Sequence, residues 1–436
     1  MIDKRLLLIN PPFPRKVASV PLQMLYLAAA VKGTGVDVQL LDLDTVPEAQ
    51  RNSVLEQILQ DYKPTHVGVT AYSSNYPESL DISRYVKSFD PRIITISGGP
   101  HQIAMGGIEP EPEFIDHIVT DTFGENALLG LLGLEKRIQD RATLFPAFEL
   151  LKEDIPYQFD PQLFDGRRMA QILTATGCNQ GCSFCSAPMA YMPFENDAVV
   201  RQLQQVVGLG YEAVFFNDPN FTNPFRGTTT DIYSRVKDLM KAMKDEELHQ
   251  LLVWGCQTKA SMVNPSVLDV MAGAGCVYIT YALENIDGSS LKEMVKGITP
   301  EMVKRAITLS GERGIKTGLY VMFGTNPDQE QDFTVVQDTL DFVEGLMPNY
   351  LSISILANYP MWDRNHPGRR IYTNLDYANV KYSREPIWLN FDEGWGAFHP
   401  NTSAKQARRY LTELERRRAL RPQIWDSSRP KAIRRF

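Results

Sequence analysis

Several common signatures are missing from this 436-residue chain. No GxGxxG follows its first apolar run and no GxxxxGK(S/T) occurs, so neither a dinucleotide fingerprint nor a phosphate-binding P-loop is supported. No apolar segment approaches the ~20 residues of a membrane helix. The start, MIDKRLLLINPP, is too short an apolar run for a secretory leader and is broken by Pro11 and Pro12. Histidine is scarce, six in all, and DxHxxG is absent. Cysteine is scarce as well: five residues, three of them clustered, unlike the paired framework of a secreted domain. Together these absences imply a cytoplasmic protein with no membrane span. The net charge of −7 gives no sign of a nucleic-acid partner. That charge is uneven, because from Asp363 onward basic side chains outnumber acidic ones roughly two to one.

What is present is a regular alternation of apolar runs and amphipathic segments. RLLLIN, VDVQLLDLD, THVGVTAYSS and RIITISGG read as strands, with helices of ten to fifteen residues between them. That rhythm implies βαβ units and a parallel sheet, whose ligands bind at the carboxyl ends of the strands. Those ends are Asn10-Pro11-Pro12, the Tyr72-Ser73-Ser74 loop and Gly98-Gly99-Pro100-His101. Taken singly, each is also ordinary turn chemistry. Residues 135–168 are rich in proline and charge and read as a linker. From Met169 a second series supplies six strands, each but the last followed by a helix. That is enough for a partial barrel, with its chemistry at the strands' carboxyl ends.

The first strand of this second series runs into TATGCNQGCSFCSAP, which places Cys178, Cys182 and Cys185 in one loop. Structural zinc wants four ligands, and no second CxxC exists. The histidine closest in sequence is His117. A disulfide would leave one thiol over and suits a reducing compartment poorly. An iron–sulfur cluster fits best, since thiolates are its protein ligands. Three cysteines leave one iron of a cubane open, as a catalytic metal site requires.

CNQGCSFC resembles the CxxxCxxC signature of the radical S-adenosylmethionine (SAM) enzymes, with Phe184 as the aromatic residue before the third cysteine. VFFNDPNFT, WGCQTKA, ITYALENIDGSSLKEMVKGIT, GIKTGLYVMFG and LSISILANYP resemble the family's later strand segments, in order. NPP, YSS, SGGPH and FGEN ahead of them resemble the B12-binding domain of the cobalamin-dependent subgroup. The fold implied is α/β: a doubly wound Rossmann-like cobalamin-binding domain (1–134), a linker (135–168), a partial (β/α)6 radical SAM barrel (169–362) and a C-terminal helical cap (363–436). The cofactors implied are a 4Fe–4S cluster on Cys178, Cys182 and Cys185, SAM, and cobalamin held base-off without a protein histidine ligand. The resemblance also implies that Phe184, Asn217, Asp218, Gln257, Glu284 and Tyr320 bind cofactor in the barrel. Asn217 and Asp218 would take the amino group of SAM, and Glu284 its ribose. Pro11, Pro12, Ser73, Ser74, Gly98, Gly99, Pro100, His101, Gly124 and Glu125 would line the cobalamin site. His101 is expected to touch the corrin or its tail. The family's TPYPGT-like turn is ANYPMW here, altered at Asn358 and Met361.

The activity implied is methylation of an unactivated carbon of a small-molecule or peptide substrate, with SAM as radical source and methylcobalamin as methyl donor. An electron donor such as flavodoxin or ferredoxin is the implied partner. Cyclisation, rearrangement or oxidation with the same cofactors is the alternative. Methylthiotransferases resemble a pattern with further cysteines before the cluster, and none precedes Cys178. A sensor that binds these cofactors without turnover is the reading from outside enzymes. Cys256 and Cys276 fall in apolar strands and are expected in the core. Tyr72, Tyr191, Phe194, Tyr278 and Tyr281 are candidates for a substrate space, although aromatics more often fill cores. SAKQARRYLTELERRRALRP is a basic amphipathic helix that could shape the pocket, attract an anion, dock a peptide or present a solvated face.

Overall fold

The computed structural model describes residues 4–13, 20–106, 112–122, 124–151, 161–185, 187, 190–224, 231–357, 401–421 and 433–435. They fall into two compact units, one built from the first 157 residues and the other from the rest.

The first unit alternates strand and helix: β1 (Arg5–Asn10), α1 (Leu22–Val31), β2 (Asp37–Asp42), α2 (Arg51–Tyr62), β3 (His66–Thr70), α3 (Tyr76–Phe89), β4 (Ile94–Gly98), α4 (Pro100–Met105), β5 (His117–Ile118) and α5 (Gly124–Leu131). All pairings in this sheet are parallel, in the order β2-β1-β3-β4-β5. The central strands are near-continuous apolar runs because helices cover both faces. Leu7 and Ile9 pack toward α2 and α3, whereas Leu6 and Leu8 pack toward α1 and α5. The order reverses between β1 and β3, so the switch-point crevice opens at their carboxyl ends. Part of the expected linker is built into this unit. Ala147 joins the α1-side core, and its amide bonds to the Leu25 carbonyl.

The second unit carries β6 (Met169–Ile172), a short ribbon β7 (Ala175–Thr176) with β8 (Met192–Pro193), α6 (Asn196–Gly208), β9 (Ala213–Phe216), α7 (Ser234–Asp245), α8 (Leu248–Leu251), β10 (Val253–Thr258), α9 (Pro265–Ala272), β11 (Cys276–Glu284), α10 (Gly288–Glu293), α11 (Pro300–Gly311), β12 (Lys316–Phe323), α12 (Gln329–Leu346), β13 (Tyr350–Ile355), α13 (Ala404–Leu420) and β14 (Ile433–Arg435). Six parallel strands follow in sequence from β6 to β13, and β14 adds a seventh beside β13. The tail was expected to be helical alone; it supplies a helix and this strand. At the amino ends of the strands, Leu163, Phe164, Ala213, Phe215, Tyr278 and Tyr350 form a filled layer. The carboxyl ends carry the polar loops. There Asn264, Thr299 and Asp328 accept amide hydrogen bonds from the first turns of α9, α11 and α12, starting each helix cleanly.

Part of the basic character of α13 is taken up by ion pairs. Arg409 pairs with Glu330, Arg417 with Asp341, Glu344 and Glu413, and Arg421 with Glu344, while the Tyr410 hydroxyl donates to Asp332. Arg409, Arg417 and Arg421 fasten the helix to α12, while Arg408, Arg416 and Arg418 stay exposed, so one side of the helix is docked and another is solvated. The ANYPMW turn, with Asn358 and Met361, lies outside the described residues.

Candidate functional site

The cysteine loop is a closed excursion from the end of β6. The β7–β8 ribbon pairs Ala175 with Pro193 and Thr176 with Met192, so the chain leaves and returns through one neck. The Phe194 amide also donates to the Thr174 carbonyl at 2.9 Å. Gly177 (φ 71°) and Gly181 (φ 65°) are left-handed, and each immediately precedes a cysteine. Side chains other than glycine adopt that conformation rarely, so these two residues let the loop double back and gather its thiols. Cys178, Cys182 and Cys185 are free, the first two half-buried and the third exposed. Burial pushes the Cys178 thiol up, and its neighbour Cys182 adds to this, while Lys259 and Lys296 oppose it. Among the described residues no His, Cys, Asp or Glu cluster has the spacing of ligands to a single ion. Ligands of a cubane sit on different irons and stand further apart than those of one ion. Three free thiols on a glycine-turned loop, within electrostatic reach of one another, fit that group.

Asp218 holds the neck. Its carboxylate is fully buried and accepts from the Thr174 amide at 2.7 Å, the Ala175 amide at 3.2 Å and the Thr174 hydroxyl. Arg235 donates to the Thr174 carbonyl at 2.7 Å, and burial pushes the Asp218 carboxyl up against this cation's pull. Both Asp218 oxygens therefore have protein donors. Asn217, next to it, is half-buried, and Gln257 donates to the Asp218 carbonyl at 3.0 Å.

Glu284 ends β11 with φ 63°, at a register shift in its pairing with β12. Its carboxylate accepts from Lys296 at 2.5 Å, and both groups are buried. Burial works against the Lys296 charge, but Glu284 and then Cys182 more than offset it, so its pKa rises. The Lys296 ammonium also lies 5.2 Å from the centre of the Phe184 ring, inside the cysteine loop. Lys296 reaches this place through the end of α10. The amides of Val295 and Lys296 bond to the carbonyls of Lys292 and Leu291, a Schellman cap with Val295 in the left-handed position at φ 53°. Glycine is usual there; the valine costs about 1–2 kcal/mol. The adjacent Met294 carbonyl accepts from the Ser183 amide, so this strained turn also docks the cysteine loop.

Tyr320 stands in β12 opposite Ala282 of β11. It packs against the amino-end layer of Phe164, Tyr278 and Tyr350. Tyr278, Tyr281 and Phe194 are buried, with the Tyr281 hydroxyl bonded to Ser310, and Cys256 and Cys276 are buried as expected. Lys259, Lys296, Thr174 and Arg235 were not singled out from the sequence. Lys259, Lys296 and Thr174 had a signal, their places in the WGCQTKA, MVKGIT and TATGCNQGC stretches; Arg235 had none.

In the first unit the two switch-point loops touch. Phe13 meets Tyr72 edge-on at 4.9 Å, and the Asn75 amide nitrogen reaches the Pro11 carbonyl at 3.5 Å. Pro11, Pro12 and Ser73 are buried, whereas Ser74, Gly98, Gly99, Pro100 and Gly124 keep some surface. A Cβ on Gly99 would lie 2.6 Å from the Thr70 hydroxyl and 2.9 Å from the Ala71 carbonyl, so no larger residue fits. His101 is 1% exposed, stacked on Tyr76 at 4.1 Å with Nδ1 3.0 Å from the Ser73 hydroxyl. Its ring packs inside the switch-point loops. Glu125 is buried as well, with Oε1 2.6 Å from the Arg141 guanidinium.

Glu78, in the first turn of α3, has a buried carboxylate oxygen with no hydrogen-bond partner. Burial pushes its pKa up from 4.5 to about 7. A raised acid favours the fold while protonated, so that contribution is full below pH 4.5 and lost as pH rises through about 7. Glu78→Gln is expected to flatten this loss and to gain about 1–3 kcal/mol over the native chain at pH 8. Denaturant melts at pH 5 and pH 8 check it: equal pH slopes for the two proteins would sink the idea.

Residues 172–335 match the family model of the radical SAM superfamily, and residues 16–126 that of the B12 binding domain. The chain is therefore a radical SAM enzyme of the kind that carries a B12-binding domain ahead of its barrel. The uncharacterized methyltransferase PH0819 of Pyrococcus horikoshii is 23% identical over 82% of this chain and 82% of its own length. The hopanoid C-3 methylase of Methylococcus capsulatus is 21% identical over 86% of this chain and 74% of its own. The anaerobic magnesium-protoporphyrin IX monomethyl ester cyclase of Rubrivivax gelatinosus is 24% identical over 82% and 69%. Among solved structures, the radical SAM methyltransferase TsrM from Kitasatospora setae superposes with TM-score 0.61 at 19% identity, over 83% of this chain and 75% of that one. The cobalamin-dependent radical enzyme OxsB superposes with TM-score 0.57 at 15% identity, over 95% and 61%.

Proposed function

We propose that this chain is a cobalamin-dependent radical SAM methyltransferase that methylates an unactivated carbon of a small-molecule substrate. The observation that carries the reading is a three-thiol loop, locked at its neck at the carboxyl end of a parallel barrel, in one chain with a 2-1-3-4-5 sheet whose switch-point loops are glycine- and proline-shaped. When bound, the cluster and SAM supply the 5′-deoxyadenosyl radical and cobalamin the methyl group. The chain's own residues do the rest. Cys178, Cys182 and Cys185 would hold the cluster, three protein thiolates for four irons. Asn217, Gln257 and the Glu284–Lys296 pair offer polar atoms at successive strand ends for a small polar ligand. Ser74, Gly98, Gly99 and Pro100 form the accessible wall of the first unit's crevice. Lack of a DxHxxG and the inward placement of His101 support cobalamin held base-off, with no histidine below the metal. A one-electron carrier of flavodoxin or ferredoxin type, in the cytoplasm, completes the system.

The methyltransferases among its relatives favour methyl transfer. The cyclase relative favours a second reading, ring closure or oxidation with the same cofactors. The test supplies SAM labelled in its methyl group, with a low-potential reductant and cobalamin, to the anaerobic full-length protein and candidate substrates. Label carried into product, together with 5′-deoxyadenosine, supports methylation. 5′-Deoxyadenosine with an unlabelled, altered product turns the assignment to the second reading.

A further inference from the structure

Two lysines flank the cysteine loop, and only one has a carboxylate. Lys296 is paired with Glu284. Lys259, one residue beyond β10, is half-buried and donates to the Gln180 side chain at 3.1 Å. Gln180 lies between Cys178 and Cys182, and it also donates to Asn223 at 3.0 Å, which fixes it to the barrel. On its other side the ammonium meets the turn after α10: a Cβ on Gly297 would stand 3.1 Å from it. Among the described residues no carboxylate pairs with it; the acidic groups in its electrostatic surroundings are the thiols of Cys182 and Cys178, which become thiolates when they bind iron. A half-buried, pinned ammonium with no counter-charge is costly unless an anion arrives.

We propose that Lys259 is a positioning cation for the cluster, raising its reduction potential by offsetting the charge of the thiolates and of the added electron. The inference rests on the reading of Cys178, Cys182 and Cys185 as cluster ligands. The step it governs is simple. A low-potential one-electron carrier is oxidised, the cluster gains one electron, no bond forms or breaks, and the thiolate-bound cluster becomes one charge more negative. A fixed cation beside the thiolates stabilises the more negative state. Lys296 does this weakly because Glu284 cancels most of its field at a distance.

The experiment is an anaerobic redox titration of the reconstituted full chain, read by the electron paramagnetic resonance of the reduced cluster, without SAM. Native protein is compared with Lys259→Met, Lys259→Gln and Lys259→Arg, each normalised to bound iron. Both neutral variants are expected to lower the reduced-to-oxidised ratio at the native midpoint by about tenfold, and Lys259→Arg to stay within about twofold. Equal potentials in all four proteins overturn the proposal. If the neutral variants take up no iron, iron retained by Lys259→Arg supports a role of charge, and iron lost there too overturns it in favour of fit. Native protein that takes up no cluster overturns the reading of the cysteines first, and this inference with it.

Discussion

Cys182→Ala is expected to abolish the cluster while leaving the fold intact. After anaerobic reconstitution the native chain should hold about four irons per molecule, and the variant's 5′-deoxyadenosine formation should fall by more than about a hundredfold. The fold should hardly notice. Cys182 is half-buried on an excursion outside the strands, and such changes cost about 0.5 kcal/mol or less. A structural or disulfide role gives a different pattern, because the thiols would then matter for unfolding and not for iron. Iron counts, a urea melt and 5′-deoxyadenosine assays on the same preparation separate the cases. A variant that keeps its iron would refute the ligand assignment. Cys256→Ala is the matched control: its thiol is buried in β10, so it should lose stability through a small cavity and keep its iron.

Much of this architecture was legible because parallel strands covered on both faces must be apolar throughout. RLLLIN, THVGVT and AVFF announce themselves that way. The cysteine loop was legible through spacing, a local property. What was not legible depends on contacts between distant residues. Asp218 bonds to Thr174, 44 positions earlier, and nothing local distinguishes that from a carboxylate offered to a ligand. The role of the α13 arginines stayed open because the α12 partners of Arg409 and Arg417 precede them by more than seventy residues. β14 is three residues long with two arginines, too short for any period to register. His101 and Glu125, in the first turns of α4 and α5, are both buried, and nothing local announces that burial. In each case the sequence located the loop and the fold decided which way the side chain faced.

The same argument makes Asp218→Ala the second large effect expected. The carboxylate satisfies two buried amides and a hydroxyl at the point where β6 becomes the cysteine loop, and Arg235 donates to the carbonyl and hydroxyl oxygens of the same Thr174. Alanine leaves those donors unpaired and removes the charge that balances Arg235, a loss of about 3–5 kcal/mol. Because the ribbon of β7 and β8 is only two residues on each side, it cannot hold the neck unaided. Iron uptake should therefore fall along with stability. Asp218→Asn keeps the shape and one acceptor, so it should sit between, at about 1–2 kcal/mol. If Asp218 instead grips the amino group of SAM, as the family resemblance implies, the pattern inverts: alanine would leave the melt and the iron count unchanged and weaken SAM binding alone. Measuring all three quantities on one protein decides whether this carboxylate acts on a ligand or through the loop it anchors.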